Sequence, residues 1–248
     1  MRIFGGKFLS TVRAPNQPDS VKIEDWQSLQ LDIQVRFPFH LFHTYILVTD
    51  IQKHESVQAI EDALVRISHP QPVQLGPSGG GEASQQVLID ELPSVLVLHL
   101  KRFLYDVAAD GIVKISKPVR FAPELEIPLG IISSFCLPHV FQLRILCRSV
   151  GSEIMAPVSG KSAEPVHYKL YGVLYHQGES AGSGRYTVDV LQVHPNEDRG
   201  SREAWLHIDD EVVSTVQHEE VFGGHDDEDV DDRCAYMLFY CRTASARI

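Results

Sequence analysis

The sequence predicts an α+β fold dominated by an antiparallel sheet in its C-terminal half. Three observations carry that expectation. Seven short runs between residues 95 and 242 are rich in β-branched and aromatic side chains, each bounded by Gly, Pro or Asp. One stretch, 55–67, has apolar residues at helical spacing. Hydrophobic residues make up 44% and charged residues 22% of the 248, the balance of an ordinary folded chain rather than a disordered one. At about 150 residues per domain, the length suits one large domain or two small ones.

Taken in order, the chain opens on IFGGKF and reaches a strand-like LQLDIQ at 29–34. Residues 35–51 (VRFPFHLFHTYILVTDI) are apolar and aromatic with almost no charge, and so are residues 131–150 (IISSFCLPHVFQLRILCRSV), without a clean period of 2 or 3.6. Both read either as buried elements or as insertions in an otherwise patterned chain. Residues 55–67 (ESVQAIEDALVRI) place Val57, Ile60, Leu64 and Ile67 three or four apart, an amphipathic helix of about three turns. Residues 68–84 are rich in Pro, Gly and Ser and read as a flexible loop. The seven strand runs are 95–103, 113–115, 119–121, 167–176, 185–193, 204–209 and 235–242. The VLVLHL of the first is apolar on both faces, as a central strand should be.

Charge and cysteine usage exclude several classes of function. Of the 33 Asp+Glu, eight crowd into 219–232, and the remaining 25 nearly balance the 22 Lys+Arg. The acidity is local, and the basic footprint of a nucleic-acid-binding protein is missing. Four cysteines (Cys136, Cys147, Cys234, Cys241), none in a C-x-x-C pair, are too few for a disulfide scaffold. Neither a signal-peptide core nor 18 uninterrupted apolar residues occurs. The expectation is a chain in a reducing compartment, the cytoplasm with the nucleus as the alternative, with no membrane partner. His40-x-x-His43 lacks a nearby acid at ligand spacing, and the run 226–232 lacks the Gly and closing Glu of a calcium loop, so no metal and no cofactor are expected.

Two places remain where chemistry is conceivable. HQGESAGSGR (176–185) joins two strong strands, and Gly178, Gly182 and Gly184 permit positive φ and close backbone approach. On spacing alone it reads as a hairpin tip, and no phosphate-loop pattern is present. Asp209 and Asp210 end a Trp-anchored strand, WLHIDD, where paired carboxylates orient a histidine, bind a cation or simply begin a turn.

In combination, these segments resemble the ubiquitin-specific proteases, cysteine peptidases with a papain-like core, in the branch that includes ubiquitin-specific protease ten. ELPSVLVLHLKRF (91–103) is similar to the family's leucine-arginine-phenylalanine box. YKLYGVLYHQGESAGSGRYTVDV (168–190) is similar to its histidine box, WLHIDDEVV (205–213) to the segment with the third catalytic residue, and AYMLFYCR (235–242) to its closing strand. The stretch IFGGKF…LQLDIQ resembles the family's finger region. The resemblance implies a mostly antiparallel palm and finger sheet, with residues 1–90 finger-like and 91–242 palm, and a partner that is ubiquitin or a ubiquitinated protein. In such enzymes a cysteine thiolate attacks the isopeptide carbonyl, a histidine moves the proton, and an Asp or Asn fixes the imidazole. That third role transfers to Asp209, with Asp210 beside it as a helper for the oxyanion or the histidine. Gly178, Gly182, Gly184 and Tyr186 would line the substrate path.

Two departures set the expectation for activity. Arg185 stands where the family has its histidine, and a guanidinium has no acceptor lone pair with which to act as a base. A bidentate ion pair between Arg185 and Asp209, catalytically silent, is the expected outcome; His176, across the Gly-rich connection, is a poor substitute. In addition, no cysteine box of the G-N-T-C type precedes IFGGKF, and none of the four cysteines stands at an equivalent place. The expectation is an incomplete domain, lacking the helical thumb, in which 35–51 and 131–150 are insertions or translated introns. Three functions follow: a deubiquitinase by descent that is inactive as this chain stands, a non-catalytic ubiquitin-binding or scaffold module, and a truncated gene product without function.

Overall fold

A computed structural model describes residues 3–34, 57–74, 82–106, 110–133, 165–180, 182–194, 202–222 and 233–243. Fourteen strands and two helices occur among them. The smaller sheet is built from β1 (Gly6–Arg13), β2 (Ser20–Trp26), β4 (Gln71–Gln74) and β5 (Glu82–Glu91), antiparallel throughout, in the order β2-β1-β5-β4. Two of its strands fall where the sequence suggested a flexible loop at 68–84. The Pro-Gly-Ser composition dominated that reading, whereas Gln71–Gln74 pair with Glu82 to Gln85 across the intervening positions.

The larger sheet has eight strands. Its path runs β13 (Val212–Val216), β12 (Arg202–Asp209), β11 (Ser183–His194), β10 (Val166–Ser180), β14 (Cys234–Arg242), β6 (Val95–Leu100) and β3 (Leu29–Leu31), and β9 (Glu124–Ile127) joins β10. Every pairing is antiparallel except β3 with β6. The apolar VLVLHL run lies inside the sheet as expected, with Leu96, Leu98 and Leu100 fully buried. Residues 119–121 form only a single bridge, Ala59 to Arg120, rather than a strand. A separate hairpin of β7 (Phe103–Asp106) and β8 (Gly111–Lys114) projects beside β10.

Helix α1 (Ile60–Ile67) is shorter than the predicted 55–67. Arg120 donates its backbone N–H to the Gln58 carbonyl (2.8 Å) and accepts at its own carbonyl from the Ile60 N–H (3.0 Å), so 57–59 are committed to an extended strap. The Asp62 carboxylate then accepts the backbone N–H groups of Gln58 (2.9 Å) and Ala59 (3.0 Å), satisfying donors the first turn leaves open. The predicted periodicity holds: Val57, Ile60 and Leu64 are buried, and Ile67 packs against the same core. A short helix, α2 (His218–Phe222), adds Val221 and Phe222 to it.

Arg102 joins these elements. It is 2% exposed, and it donates from Nε to the carbonyl of Ala235 (2.6 Å) and from Nη1 to those of Ile115 and Lys117 (both 2.8 Å). One guanidinium thus caps three backbone carbonyls from two separate segments. A buried cation needs such complete pairing to be tolerated. Residues 35–51 and all but the first three of 131–150 lie outside the described residues, as do Cys136, Cys147, His40, His43 and the acidic run 226–232.

Candidate functional site

Strands β10, β11 and β12 bring the sequence-selected residues to one end of the larger sheet. The β10–β11 register pairs Gln177 with Arg185 and His176 with Tyr186, and β12 ends at Asp209. Neighbours opposite each other share a face, and successive residues alternate. Gln177 and Arg185 therefore lie on one side of the hairpin, and His176 and Tyr186 on the other.

Arg185 Nη1 stands 3.2 Å from Asp209 Oδ2, and its Nε donates to Gln177 Oε1 at 2.6 Å. The contact to Asp209 is single, not the bidentate pair expected from the sequence, because Gln177 takes the second donor. Arg185 is largely exposed and Asp209 three-quarters buried. Among the described residues, no histidine meets Asp209. Asp210 has φ +51° and begins the two-residue turn into β13, where left-handed backbone suits so short a hairpin. Of the pair, Asp210 makes the turn and Asp209 meets Arg185.

His176 is buried on the opposite face, edge-on to Phe103 (5.1 Å) and Tyr186 (5.0 Å). Its side chain points away from Asp209. Cys234 pairs with His176 across β10 and β14, yet its thiol points to the Ser116 carbonyl at 3.7 Å. Cys241 is exposed at the far end of β14. Neither lies beside Asp209.

The three glycines of the connection differ. Gly178 has φ +111°, and a Cβ there would sit 2.7 Å from the Ser183 carbonyl oxygen. A Cβ on Gly184 would meet the Gln177 carbonyl at 2.4 Å and the His176 ring at 2.5 Å. Gly182 has open space around it and no positive φ, so the expected need for glycine fails there. Lys114 of β8 donates to the Gly178 carbonyl at 2.6 Å, which ties the β7–β8 hairpin to this connection.

On the His176 side the aromatic rings continue. Tyr186 and Phe103 each lie 5.9 Å from Tyr236, which meets His99 at 4.7 Å. Beside them opens a cleft of about 300 Å³ lined by Gln30, Asp32, His99, Arg102, Phe103 and Tyr236. Burial, and then the charge of Lys101, hold the His99 imidazole below its ordinary pKa, so neutral His99 is favoured in the cleft. Burial, and then Tyr186, push the Tyr236 phenol up.

Sequence reasoning missed a buried ionic cluster next to the site. Asp189, fully buried on β11, accepts from Arg233 Nη2 at 2.5 Å and meets His207 Nδ1 at 2.6 Å. The Arg233 guanidinium lies 3.7 Å above the Tyr175 ring. The signal was available: in YTVDV, Asp189 falls two residues beyond the inward Thr187, where an acid needs a partner. Among the described residues, no group of three His, Cys, Asp or Glu side chains could hold a metal ion, and no helix is long and apolar enough to cross a membrane.

Comparisons with known proteins point to one family. A family profile described as "Ubiquitin carboxyl-terminal hydrolase" matches residues 1–240. The chain is 33% identical over 250 residues to "Probable ubiquitin carboxyl-terminal hydrolase 3" of Schizosaccharomyces pombe, covering 97% of this chain and 39% of the relative. It is 30% identical over 243 residues to "Ubiquitin carboxyl-terminal hydrolase 10" of Rattus norvegicus, covering 97% and 24%. Among solved structures, the SAGA Ubp8/Sgf11/Sus1/Sgf73 DUB module bound to ubiquitin aldehyde contains a chain of similar fold. Its TM-score is 0.63 at 20% identity, over 98% of this chain and 42% of that one. The chain therefore spans less than half the length of each of these proteins.

Proposed function

The chain belongs to the ubiquitin carboxyl-terminal hydrolase family, and we propose that it is a deubiquitinase-derived domain that recognises ubiquitin but, as it stands, does not hydrolyse it. The observation that carries this reading is the Arg185–Asp209 ion pair. Asp209 corresponds to the residue that orients the general base, and the base position holds a guanidinium. A guanidinium is protonated at any physiological pH and offers no lone pair, so it cannot take a thiol proton. Neither described cysteine stands near Asp209 to supply one.

Recognition draws support from what remains. The cleft between Asp32, His99 and Tyr236 combines the rings of His99, Phe103 and Tyr236 with the charged side chains Asp32, Lys101 and Arg102. Such a lining suits an extended peptide tail. The Gly-rich connection beside it is fixed by Gly178, Gly184 and Lys114 rather than loose.

The test pairs two measurements on the full chain. Titration with ubiquitin, followed by NMR or calorimetry, is expected to give saturable binding that weakens when Gly178→Val distorts the connection. Incubation with ubiquitin carrying a C-terminal fluorogenic amide is expected to give no turnover. Turnover with Arg185 in place would overturn the silent site, and absence of binding would overturn recognition. In any longer form that supplies an upstream nucleophilic cysteine, Arg185→His is expected to be required for activity.

A further inference from the structure

Strand β2 is the free edge of the smaller sheet: among the described residues it pairs only with β1. Residues 20–25 are all exposed, and its two apolar members, Val21 and Ile23, are 56% and 58% exposed. An edge strand presents a row of backbone donors and acceptors, and proteins usually blunt such edges with Pro, a bulge or charged side chains. β2 has no Pro, and its register with β1 runs without a shift. Its charges alternate in sign, Lys22 pairing with Glu24 at 2.5 Å, so they can be met by the same strand of a second copy.

We propose that β2 pairs antiparallel with β2 of a second copy of this chain, about a two-fold axis through Ile23. The sequence SVKIEDW selects that register. Centred on Ile23, the pairing sets Lys22 against the second copy's Glu24, and Glu24 against its Lys22. Ile23 then meets its own symmetry mate. Centred on Lys22 or on Glu24, the same strands would oppose like charges at the axis, which is destabilising. In the Ile23 register the intrachain Lys22–Glu24 pairs combine into a cluster of alternating sign. Such a two-fold contact is closed and self-complementary, so it yields a dimer and not a filament. The two four-stranded sheets become one continuous sheet of eight.

Sedimentation equilibrium on the full chain tests this, with an expected shift from monomer to dimer mass as concentration rises. Lys22→Glu places Glu against Glu twice and is expected to raise the dimer Kd about tenfold. The charge-swapped double variant, Lys22→Glu with Glu24→Lys, is expected to return Kd to near the parental value. With the four native cysteines replaced by Ser, Ile23→Cys is expected to form an interchain disulfide on mild oxidation. Directly opposed residues of antiparallel strands lie about 4.5–5.5 Å apart at Cα, within disulfide reach. Val21→Cys, which would face Asp25 of the second copy, is expected not to cross-link. The proposal falls if the chain stays monomeric at every concentration, or if Ile23→Cys cross-links no better than Val21→Cys. It also falls if a dimer forms that the charge swap neither breaks nor restores, because the contact would then lie elsewhere than β2.

Discussion

Asp189 and Asp209 face the same side of adjacent strands, yet their environments differ and so should their mutational costs. Asp189 has no exposure and answers to the part-buried Arg233 and to His207. Removing one partner of a buried pair leaves the other desolvated without compensation. Asp189→Ala is therefore expected to cost about 3–5 kcal/mol, read as a lowered urea midpoint at unchanged slope. Arg185, 63% exposed, is screened by water, and Arg185→Ala is expected to stay within about 1 kcal/mol. Equal losses for the two variants would show that Asp189 is not held as described. The sequence revealed Asp209 and Arg185 because both fall inside a family motif. Asp189 was harder to recognise, because its partner Arg233 lies 44 residues away and only strand pairing brings them together.

At the scale of elements, the hairpin of β10 and β11 depends on two glycines and is indifferent to a third. Gly178 combines left-handed backbone with a close approach to Ser183, and Gly184 leaves room for the Gln177 carbonyl and the His176 ring. Gly178→Ala and Gly184→Ala are each expected to destabilise by about 1–3 kcal/mol, whereas Gly182→Ala is expected to be neutral or to stabilise by about 0.4–1 kcal/mol. Thermal unfolding of the three variants separates them, and a Gly182 variant as damaging as the other two would refute this account of the connection. The sequence marked all three glycines alike, since spacing does not reveal which backbone comes near which. The same blindness explains β4 and β5, where Pro-Gly-Ser composition at 68–84 concealed a strand pairing. Where the apolar pattern alone decides, on one face of α1 or both faces of β6, the element was legible; only the helix start moved, because Arg120 holds 57–59 extended.

Across the whole molecule, the larger sheet is held by a few long strands that bury their aromatic side chains together. Tyr168 and Tyr175 on β10 and Tyr240 on β14 are at most 4% exposed. Tyr168 donates its hydroxyl to the Pro93 carbonyl (2.6 Å) and Tyr240 donates to that of Ala122 (2.7 Å), so each phenol also ties the sheet to a loop. Burial is the main cause that raises all three phenols above their ordinary range. The consequence for stability has a definite sign. Above about pH 10 an unfolded tyrosine releases its proton while these folded ones keep theirs, so the folded state binds more protons and stability falls as pH rises. Unfolding in alkali is thus expected to coincide with a cooperative rise in tyrosinate absorbance. If all eight tyrosines titrate as one ordinary population while the circular dichroism of the sheet persists, these three phenols are not buried and the shared core of β10 and β14 is wrong. Tyr168→Phe and Tyr240→Phe would each remove one ionisable group and shift the alkaline transition upward, at the cost of a hydrogen bond worth about 1 kcal/mol at neutral pH.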